Sequence, residues 1–130
     1  MSKILRVNMN DLSFKWEKVK PEHEQLGGRA FTSTIVSTEV DPMCHPLRER
    51  NKLVIAPGLL SGTGAPSSGR LSVGGKSPLT SGIKEANAGG ITATKLGRIG
   101  VKGIVIEGAP PRGTTDWYGI FVGKDKAEVV

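Results

Sequence analysis

The amino-acid sequence predicts an α+β fold that is predominantly β, with antiparallel sheets and one or two short helices. Three features support this fold class: alternating apolar and polar residues near the N-terminus, several short apolar runs that end at Gly or Pro, and few segments with helical spacing. The 18 glycines and 8 prolines predict many turns and loops between these elements. A length of 130 residues is ordinary for one domain, so residues 1–130 are expected to form a single domain.

A β-hairpin is predicted at the N-terminus. Residues 4–8 and residues 13–19 alternate apolar and polar side chains on either side of the turn-forming pair Asn10-Asp11. Because side chains of a strand point alternately to its two faces, Leu5 and Val7 are expected to lie on the same, buried face.

Two short helices are predicted. The first lies within residues 29–40, after Gly27-Gly28, and its apolar residues are expected to share one face. These residues are Ala30, Phe31, Ile35 and Val36. The second helix is brief and is predicted to start after Gly90 and to end near Gly97.

Five further segments have the short apolar or alternating pattern of strands. They are residues 53–56, 70–73, 103–108, 117–122 and 127–130. The last two are expected to pair as a hairpin. The first is a continuous apolar run that ends at Pro57-Gly58, which predicts a strand buried on both faces. Residues 74–90 are expected to be irregular.

The composition limits the classes of partner. A formal charge of +6 and a pI near 9.7 favour an anionic partner, without choosing among nucleic acid, an acidic protein, a membrane surface and a phosphorylated cofactor. Only Phe14 and Trp16 among the aromatic residues are interleaved with lysine, so no nucleic-acid partner is expected. No segment is apolar over the length of a membrane span, so no membrane partner is expected.

The cysteine content predicts a reducing compartment. Cys44 is the single cysteine, so the chain forms no internal disulfide and cannot hold an iron–sulfur cluster or a structural zinc through its own thiolates. The N-terminal residues lack the apolar region of a secretion signal, and a cytoplasmic location is therefore expected. His23 and His45 lie in polar segments near prolines and are expected to be solvated. The cations Arg48, Arg50 and Lys52 are expected to form a solvated face, or to dock an acidic partner.

Two segments are candidates for a binding site. Residues 58–70 combine glycines, hydroxyl groups and a terminal arginine, which is suited to cradle an anion but equally typical of a compact surface loop. The segment does not match the spacing of a P-loop or of a dinucleotide-binding fingerprint. In residues 85–90, an asparagine stands between small residues, where it either fixes a turn or binds a ring or a cation.

Four segments in one order resemble the N-terminal region of the aldehyde:ferredoxin oxidoreductase family. They are residues 51–66, Gly69-Arg70, Lys76-Ser77-Pro78-Leu79-Thr80 and Ala86-Asn87-Ala88-Gly89-Gly90. The resemblance continues upstream and downstream into residues 5–8, 27–30, 39–42 and 103–108, so it covers nearly the whole chain. It departs from the family pattern in residues 57–61, at Gly74-Gly75, and after Gly90.

The resemblance implies a site for a tungsten (or molybdenum) bis-pterin cofactor, whose phosphates are bridged by magnesium. The residues that match the family's cofactor motif are Arg70, Lys76, Asn87, Ala88, Gly89 and Gly90. By the resemblance, Arg70 hydrogen-bonds the pterin side of the cofactor and Asn87 supplies an oxygen ligand to the magnesium. Gly89 and Gly90 let the backbone lie against the pterin.

The implied function is that of a pterin-binding N-terminal segment or subunit of an enzyme that oxidises an aldehyde to a carboxylic acid. In that family electrons pass to an iron–sulfur acceptor, and residues 1–130 would be a partial N-terminal pterin-binding domain. The [4Fe–4S] cluster would have to lie in a partner or in a missing portion, so the chain alone is not catalytically complete. The implied partners are the remaining domains or subunits of the oxidoreductase, ferredoxin, and further copies of this chain. The alternative is a structural or dimerising β domain that no longer binds cofactor.

Overall fold

The computed structural model describes residues 2–130 and contains one six-stranded sheet, a separate two-stranded ribbon and two α-helices. The sheet strands are β1 (Lys3–Asn8), β2 (Ser13–Lys18), β3 (Lys52–Pro57), β4 (Arg70–Lys76), β5 (Ile83–Gly89) and β6 (Val101–Glu107). The ribbon strands are β7 (Ile120–Val122) and β8 (Ala127–Val129). The helices are α1 (Gly28–Glu39) and α2 (Ile91–Arg98), and a 3-10 turn spans Pro21–His23. The predicted α+β, predominantly β class is confirmed.

The sheet order is β2-β1-β6-β3-β4-β5. Every neighbouring pair is antiparallel except β1 and β6, which are parallel. The strands β2 and β5 are therefore the two edges of the sheet. Within residues 2–130, neither helix has the length and hydrophobicity that a bilayer span requires.

The predicted N-terminal hairpin is confirmed as β1 and β2, with Leu5 and Val7 fully buried. Ile4 is buried as well, on the opposite face, where it packs in the cluster formed by α1. The strand β1 is thus covered on both faces, because α1 lies on one side of the sheet and α2 with the β7–β8 ribbon lies on the other.

The helix α1 packs on β3, β4 and β5 through Phe31, Ile35 and Val36. The prediction that Ala30 belongs to this face was wrong: Ala30 is exposed, and Thr32 is fully buried in its place. Residues 32, 35 and 36 lie on one stripe at helical spacing, whereas residue 30 lies off it. The buried hydroxyl of Thr32 is tolerated because it forms a hydrogen bond with Ser72 on β4, at 3.0 Å.

Two predictions about strands were wrong. Leu53 remains 45% exposed, so β3 is not buried on both faces, although α2 contacts β3 and Ile55 packs against the cluster that contains Leu96 of α2. Residues 74–90 are not irregular, because β4 continues to Lys76 and residues 83–89 form β5. The edge strand β5 has no run of β-branched residues, so its intrinsic β-propensity is low. It is a strand because it pairs with β4. The predicted α2, β6 and C-terminal hairpin are confirmed, although β7 is shorter than expected.

A partly buried ionic network joins the sheet to the end of α1. Arg6 contacts Glu17, Glu39 and Glu107, at 3.1, 2.8 and 3.0 Å respectively. Lys52 contacts Glu39 and Glu107 from the neighbouring strand. The expectation that Lys52 is solvated was therefore wrong, since its side chain is only 16% exposed. Packing of β1, β2, β3 and β6 side by side converts scattered surface charges into one compact group.

The two histidines differ in their surroundings. His45 is exposed, as expected. His23 was expected to be solvated, but it is 7% exposed and its ring packs edge-on against Phe31, with ring centroids 5.9 Å apart. The Nδ1 atom of His23 has no hydrogen-bond partner in residues 2–130. The 3-10 turn tucks this ring under the first turn of α1, which the local sequence did not indicate.

Candidate functional site

The antiparallel pairing of β4 and β5 brings Arg70 and Asn87 together. Arg70 is opposite Gly89, and Ser72 is opposite Asn87, so these four side-chain positions share the face of the sheet on which α1 lies. The Nε atom of Arg70 donates a hydrogen bond to Oδ1 of Asn87, at 2.9 Å. Two residues 17 positions apart in sequence therefore form one polar unit at the end of the sheet.

Glu85 links this unit to the core. Its Oε1 atom accepts hydrogen bonds from Nδ2 of Asn87 and, at 2.6 Å, from Oγ of Ser72. Its Oε2 atom contacts Nε of Arg29, at 3.1 Å. The hydrogen bond from Ser72 lowers the pKa of Glu85 against the opposing effect of burial, and Asn87 and Arg29 lower it further. Glu85 is thus a carboxylate at neutral pH.

The guanidinium of Arg70 lies above a glycine. A Cβ atom on Gly89 would lie 3.6 Å from Nη1 of Arg70, so a larger side chain would occupy the space around the guanidinium. Within residues 2–130, Nε is the guanidinium atom of Arg70 that hydrogen-bonds to the protein. Arg70 is also exposed. Its two Nη groups are therefore available to a ligand with oxygen acceptors.

The start of α2 is hydrogen-bonded to the backbone of the residue before Arg70. The amide of Gly90 donates to the carbonyl of Gly69, at 3.2 Å, which holds the helix start beside the first residue of β4. Gly90 has a φ of +130°, which favours glycine, and a Cβ there would meet open space. No side chain caps α2, so the backbone amides of its first turn have no side-chain acceptor. These amides and the positive end of the helix dipole are suited to bind an anion. We call Arg70, Asn87, Gly89 and Gly90 the β4–β5 corner.

The backbone of Asn87 points away from the sheet. The amide of Gly58 bonds to the carbonyl of Arg70 on the β3 side, and the amide of Gly90 bonds to Gly69 on the β5 side. Along an antiparallel pair of strands, the backbone N–H and C=O groups of successive residues point alternately to the two sides. The backbone groups of Ser72 therefore point toward β3, as those of Arg70 do. Those of Asn87, the residue opposite Ser72, point away from β4 and out of the edge of the sheet. Because β5 is an edge strand, this carbonyl oxygen faces the surroundings of the sheet.

The glycine-rich loop, residues 58–69, packs against α2. A Cβ atom on Gly62 would lie 2.6 Å from the amide nitrogen of Arg98, and one on Gly69 would lie 2.8 Å from the carbonyl oxygen of Gly90. Gly97 on α2 makes an equally close approach to Ser61. The glycines thus allow backbone contact between loop and helix. Of the two interpretations of this segment, the geometry favours the compact loop over an open anion cradle.

Two of the predicted cofactor residues lie outside the corner. Lys76 is at the opposite end of β4, roughly 20 Å along the strand from Arg70. It is buried, and its Nζ donates to the carbonyls of Pro42 and Cys44, at 2.5 and 2.6 Å. Ala88 is opposite Leu71, on the other face of the sheet. Lys76 therefore holds the segment after α1 in place, and its geometry gives no support to a contact with a ligand at the corner.

Sequence reasoning missed three residues of the network: Ser72, Glu85 and Thr32. Glu85 and Asn87 are two positions apart, as are Arg70 and Ser72, so the strand periodicity would have placed each pair on one face had β5 been identified. Within residues 2–130, no three His, Cys, Asp or Glu side chains are grouped to hold a metal ion. A cation at the corner would need backbone or amide oxygens together with oxygens of its ligand.

The sequence matches the family described as the aldehyde ferredoxin oxidoreductase N-terminal domain over residues 4–130. The chain belongs to this family, which confirms the resemblance drawn from its motifs. The tungsten-containing aldehyde ferredoxin oxidoreductases of Pyrococcus horikoshii and Pyrococcus abyssi are 43% and 44% identical to it over 108 residues. The protein of that name from Pyrococcus furiosus is 41% identical.

The matched region is 82% of this chain and 18% of each of these relatives, so the chain spans less than a fifth of their length. A solved structure with the same fold is the active site complex BamBC of benzoyl coenzyme A reductase in complex with 1,5-dienoyl-CoA. It superposes with a TM-score of 0.89 and 28% identity, covering 98% of this chain and 19% of that one. The chain is thus an N-terminal domain of the aldehyde ferredoxin oxidoreductase type.

Proposed function

We propose that the β4–β5 corner binds the phosphate-bearing end of a tungsten (or molybdenum) bis-pterin cofactor. The observation that carries this proposal is the guanidinium of Arg70, which is fixed through Nε by Asn87 while both Nη groups are left for a ligand. The uncapped start of α2, where the Gly90 amide bonds to Gly69, adds amide donors at the same end of β4. A planar guanidinium and a helix N-terminus both favour phosphate oxygens, so the residues present fit the anionic part of such a cofactor.

The backbone carbonyl of Asn87 is the oxygen we propose for magnesium. The side-chain amide of Asn87 already donates to Glu85 and accepts from Arg70. Its main-chain oxygen, in contrast, is directed outward from the edge of β5. Magnesium prefers oxygen ligands and usually keeps water and phosphate oxygens among its six ligands, so one protein carbonyl is sufficient as the contribution of this chain.

The contribution of this chain would be to hold and orient the cofactor. Bound tungsten would supply the redox chemistry that converts an aldehyde to its carboxylic acid. Arg70 neutralises phosphate charge, and Gly89 and Gly90 let the backbone approach the ligand closely. The [4Fe–4S] cluster, ferredoxin docking and the remaining domains or subunits are assigned by this proposal to polypeptide outside residues 1–130. We also propose a cytoplasmic location, because a chain with a single cysteine suits a reducing compartment.

The test is cofactor retention by the full chain purified with any co-purifying oxidoreductase component. Metal and pterin would be quantified by mass spectrometry in the wild type and in the Arg70→Ala and Asn87→Ala variants. We expect Arg70→Ala to lose at least about tenfold in retained pterin, since a charge-assisted hydrogen bond contributes about 1.5–3 kcal/mol. Asn87→Ala keeps its backbone carbonyl and should lose less, through the freedom that it restores to Arg70. Arg48→Ala is the matched control, because Arg48 is also exposed but lies in the segment after α1. Equal pterin content in all four proteins would contradict the proposal.

A further inference from the structure

The amide of Asn87 has a single allowed orientation. A carboxylate only accepts hydrogen bonds, and a guanidinium only donates them. Because Asn87 lies between Glu85 and Arg70, its NH2 group must face Glu85 and its oxygen must face Arg70. Reversing the amide would oppose two acceptors on one side and two donors on the other. The orientation that secures Arg70 therefore depends on the residue on the far side of the amide.

Glu85, which imposes this orientation on Asn87, is itself held by a buried residue. Its side chain is only 8% exposed, and Oε1 accepts the hydroxyl proton of Ser72, which is fully buried. Since Ser72 donates to Glu85, Thr32 is the donor in its 3.0 Å contact with Ser72, and the carbonyl of Arg29, at 3.2 Å, is a second acceptor for the same hydroxyl proton. Two series of hydrogen bonds thus converge on Glu85, one from the buried face of α1 through Ser72 and the other from the exposed guanidinium of Arg70 through Asn87.

We propose that Glu85 is the positioning residue of the β4–β5 corner: it fixes the Asn87 amide, which in turn fixes Arg70 with both Nη groups presented to an anionic ligand. The identity of that ligand rests on the proposed function, but the positioning does not. An unrestrained arginine loses much side-chain entropy on binding, and Glu85 removes part of that loss in advance.

The negative charge of Glu85 repels an anionic ligand, whereas its positioning of Arg70 favours binding of that ligand. Substitutions of Glu85 separate these two effects. Ser72 and Asn87 both donate to Oε1 of Glu85, whereas Oε2 accepts from Arg29. The Arg29 side chain is 74% exposed, so it is able to turn away when Oε2 is replaced. Glu85→Gln therefore keeps the oxygen that positions Asn87 and removes the negative charge. Glu85→Ala removes both. If Glu85 acted through charge alone, both variants would bind an anion more tightly than the wild type.

The first measurement is the Arg70 Nε–Hε resonance in ¹H–¹⁵N spectra of the full chain. We expect a slowly exchanging signal in the wild type and in Glu85→Gln, and its loss to solvent exchange in Glu85→Ala, with core amide resonances unchanged. Glu22→Ala removes an exposed carboxylate from the 3-10 turn and is the matched charge control. An Arg70 Hε signal that persists in Glu85→Ala would overturn the proposal.

The second measurement is titration with inorganic pyrophosphate. We expect Glu85→Ala to bind about fivefold more weakly than Glu85→Gln, which also lacks the charge, from the restored freedom of one arginine side chain. Glu85→Gln should bind at least as tightly as the wild type, and Arg70→Ala should bind more weakly than all of them. Tighter binding by Glu85→Ala than by Glu85→Gln would refute positioning.

Failure of the proposed function is distinguishable from failure of this inference. If the wild type and Arg70→Ala bind pyrophosphate equally, the corner is not an anion site, while the Hε signal still decides whether Glu85 positions Arg70. If Glu85→Ala does not fold, Glu85→Met replaces it, because methionine fills a similar length without an acceptor oxygen. Loss of the Hε signal in Glu85→Met supports the proposal, and its retention overturns it.

Discussion

Gly97 lies where α2 meets the glycine-rich loop, and its replacement by alanine tests that contact. In an isolated helix this change is favourable by about 1 kcal/mol, because alanine has the higher helix propensity. In the protein, a Cβ atom at this position would lie 2.7 Å from the carbonyl carbon of Ser61 and 3.2 Å from the amide nitrogen of Gly62, with the Ser61 oxygen nearer still. Both neighbours are backbone atoms, which cannot rotate away.

Relief of this overlap requires the loop and α2 to move apart by roughly 1 Å, since non-bonded carbon atoms are comfortable at about 3.5–4.0 Å. Overpacking of this kind costs about 1–3 kcal/mol, and occasionally more. We take the upper part of that range, about 3 kcal/mol, because backbone must shift. After the gain of about 1 kcal/mol in helix propensity, Gly97→Ala should lower the free energy of unfolding by about 2 kcal/mol.

Urea unfolding followed by circular dichroism measures this difference, with Thr92→Ala as the control. Thr92 is exposed on the same helix, so its replacement should change the free energy of unfolding by less than about 0.5 kcal/mol. A Gly97→Ala protein as stable as the wild type, or more stable, would refute the claim that the loop packs against α2 through this glycine.

The remaining predictions concern the ionic network and the core. Burial raises the pKa of Glu39 and of Glu17, but hydrogen bonds from the neighbouring cations outweigh it, so both pKa values lie below the ordinary 4.5. Their contribution to stability is complete above that value and is lost as the pH falls through the lower folded values. Arg6→Met should therefore cost about 2 kcal/mol in urea unfolding at pH 7 and clearly less at pH 3, and equal costs at both would count against the network. Gly103→Ala should destabilise by at least about 2 kcal/mol, because its Cβ would overlap the ring of Phe31, whereas Gly64→Ala, which meets open space, should be nearly neutral in the same assay.

Most of the elements were predictable because their signals are local. The N-terminal hairpin has alternating residues around a turn pair, and residues 104–106 are a run of apolar side chains with high β-propensity. The helix α2 begins after Gly90 and ends beside Gly97, as its glycines indicate. The family was also evident from the order of short motifs, because a chain that keeps four of them in register carries more information than any one alone.

The strand β5 was not predictable in this way. Ile83 is the one large apolar residue of residues 83–89 and the others are small or polar, so no periodicity of hydrophobic residues marks them as a strand. Pairing with β4 supplies the hydrogen bonds that make them one. The burial of His23 and Lys52 was missed for a related reason: each is a polar residue that follows a polar segment, and distant residues cover it only when the sheet and α1 pack together.

The sequence by itself determined the family, the fold class and the two residues, Arg70 and Asn87, that lead the candidate site. Only the tertiary structure decided that Lys76 lies apart from them and that Glu85 joins them. The physical reason is that residue types report which hydrogen bonds a side chain is able to make, whereas the partner it uses depends on strand register and on what packs against the sheet. Register sets Asn87 opposite Ser72, and the fixed polarity of carboxylate, amide and guanidinium determines the rest.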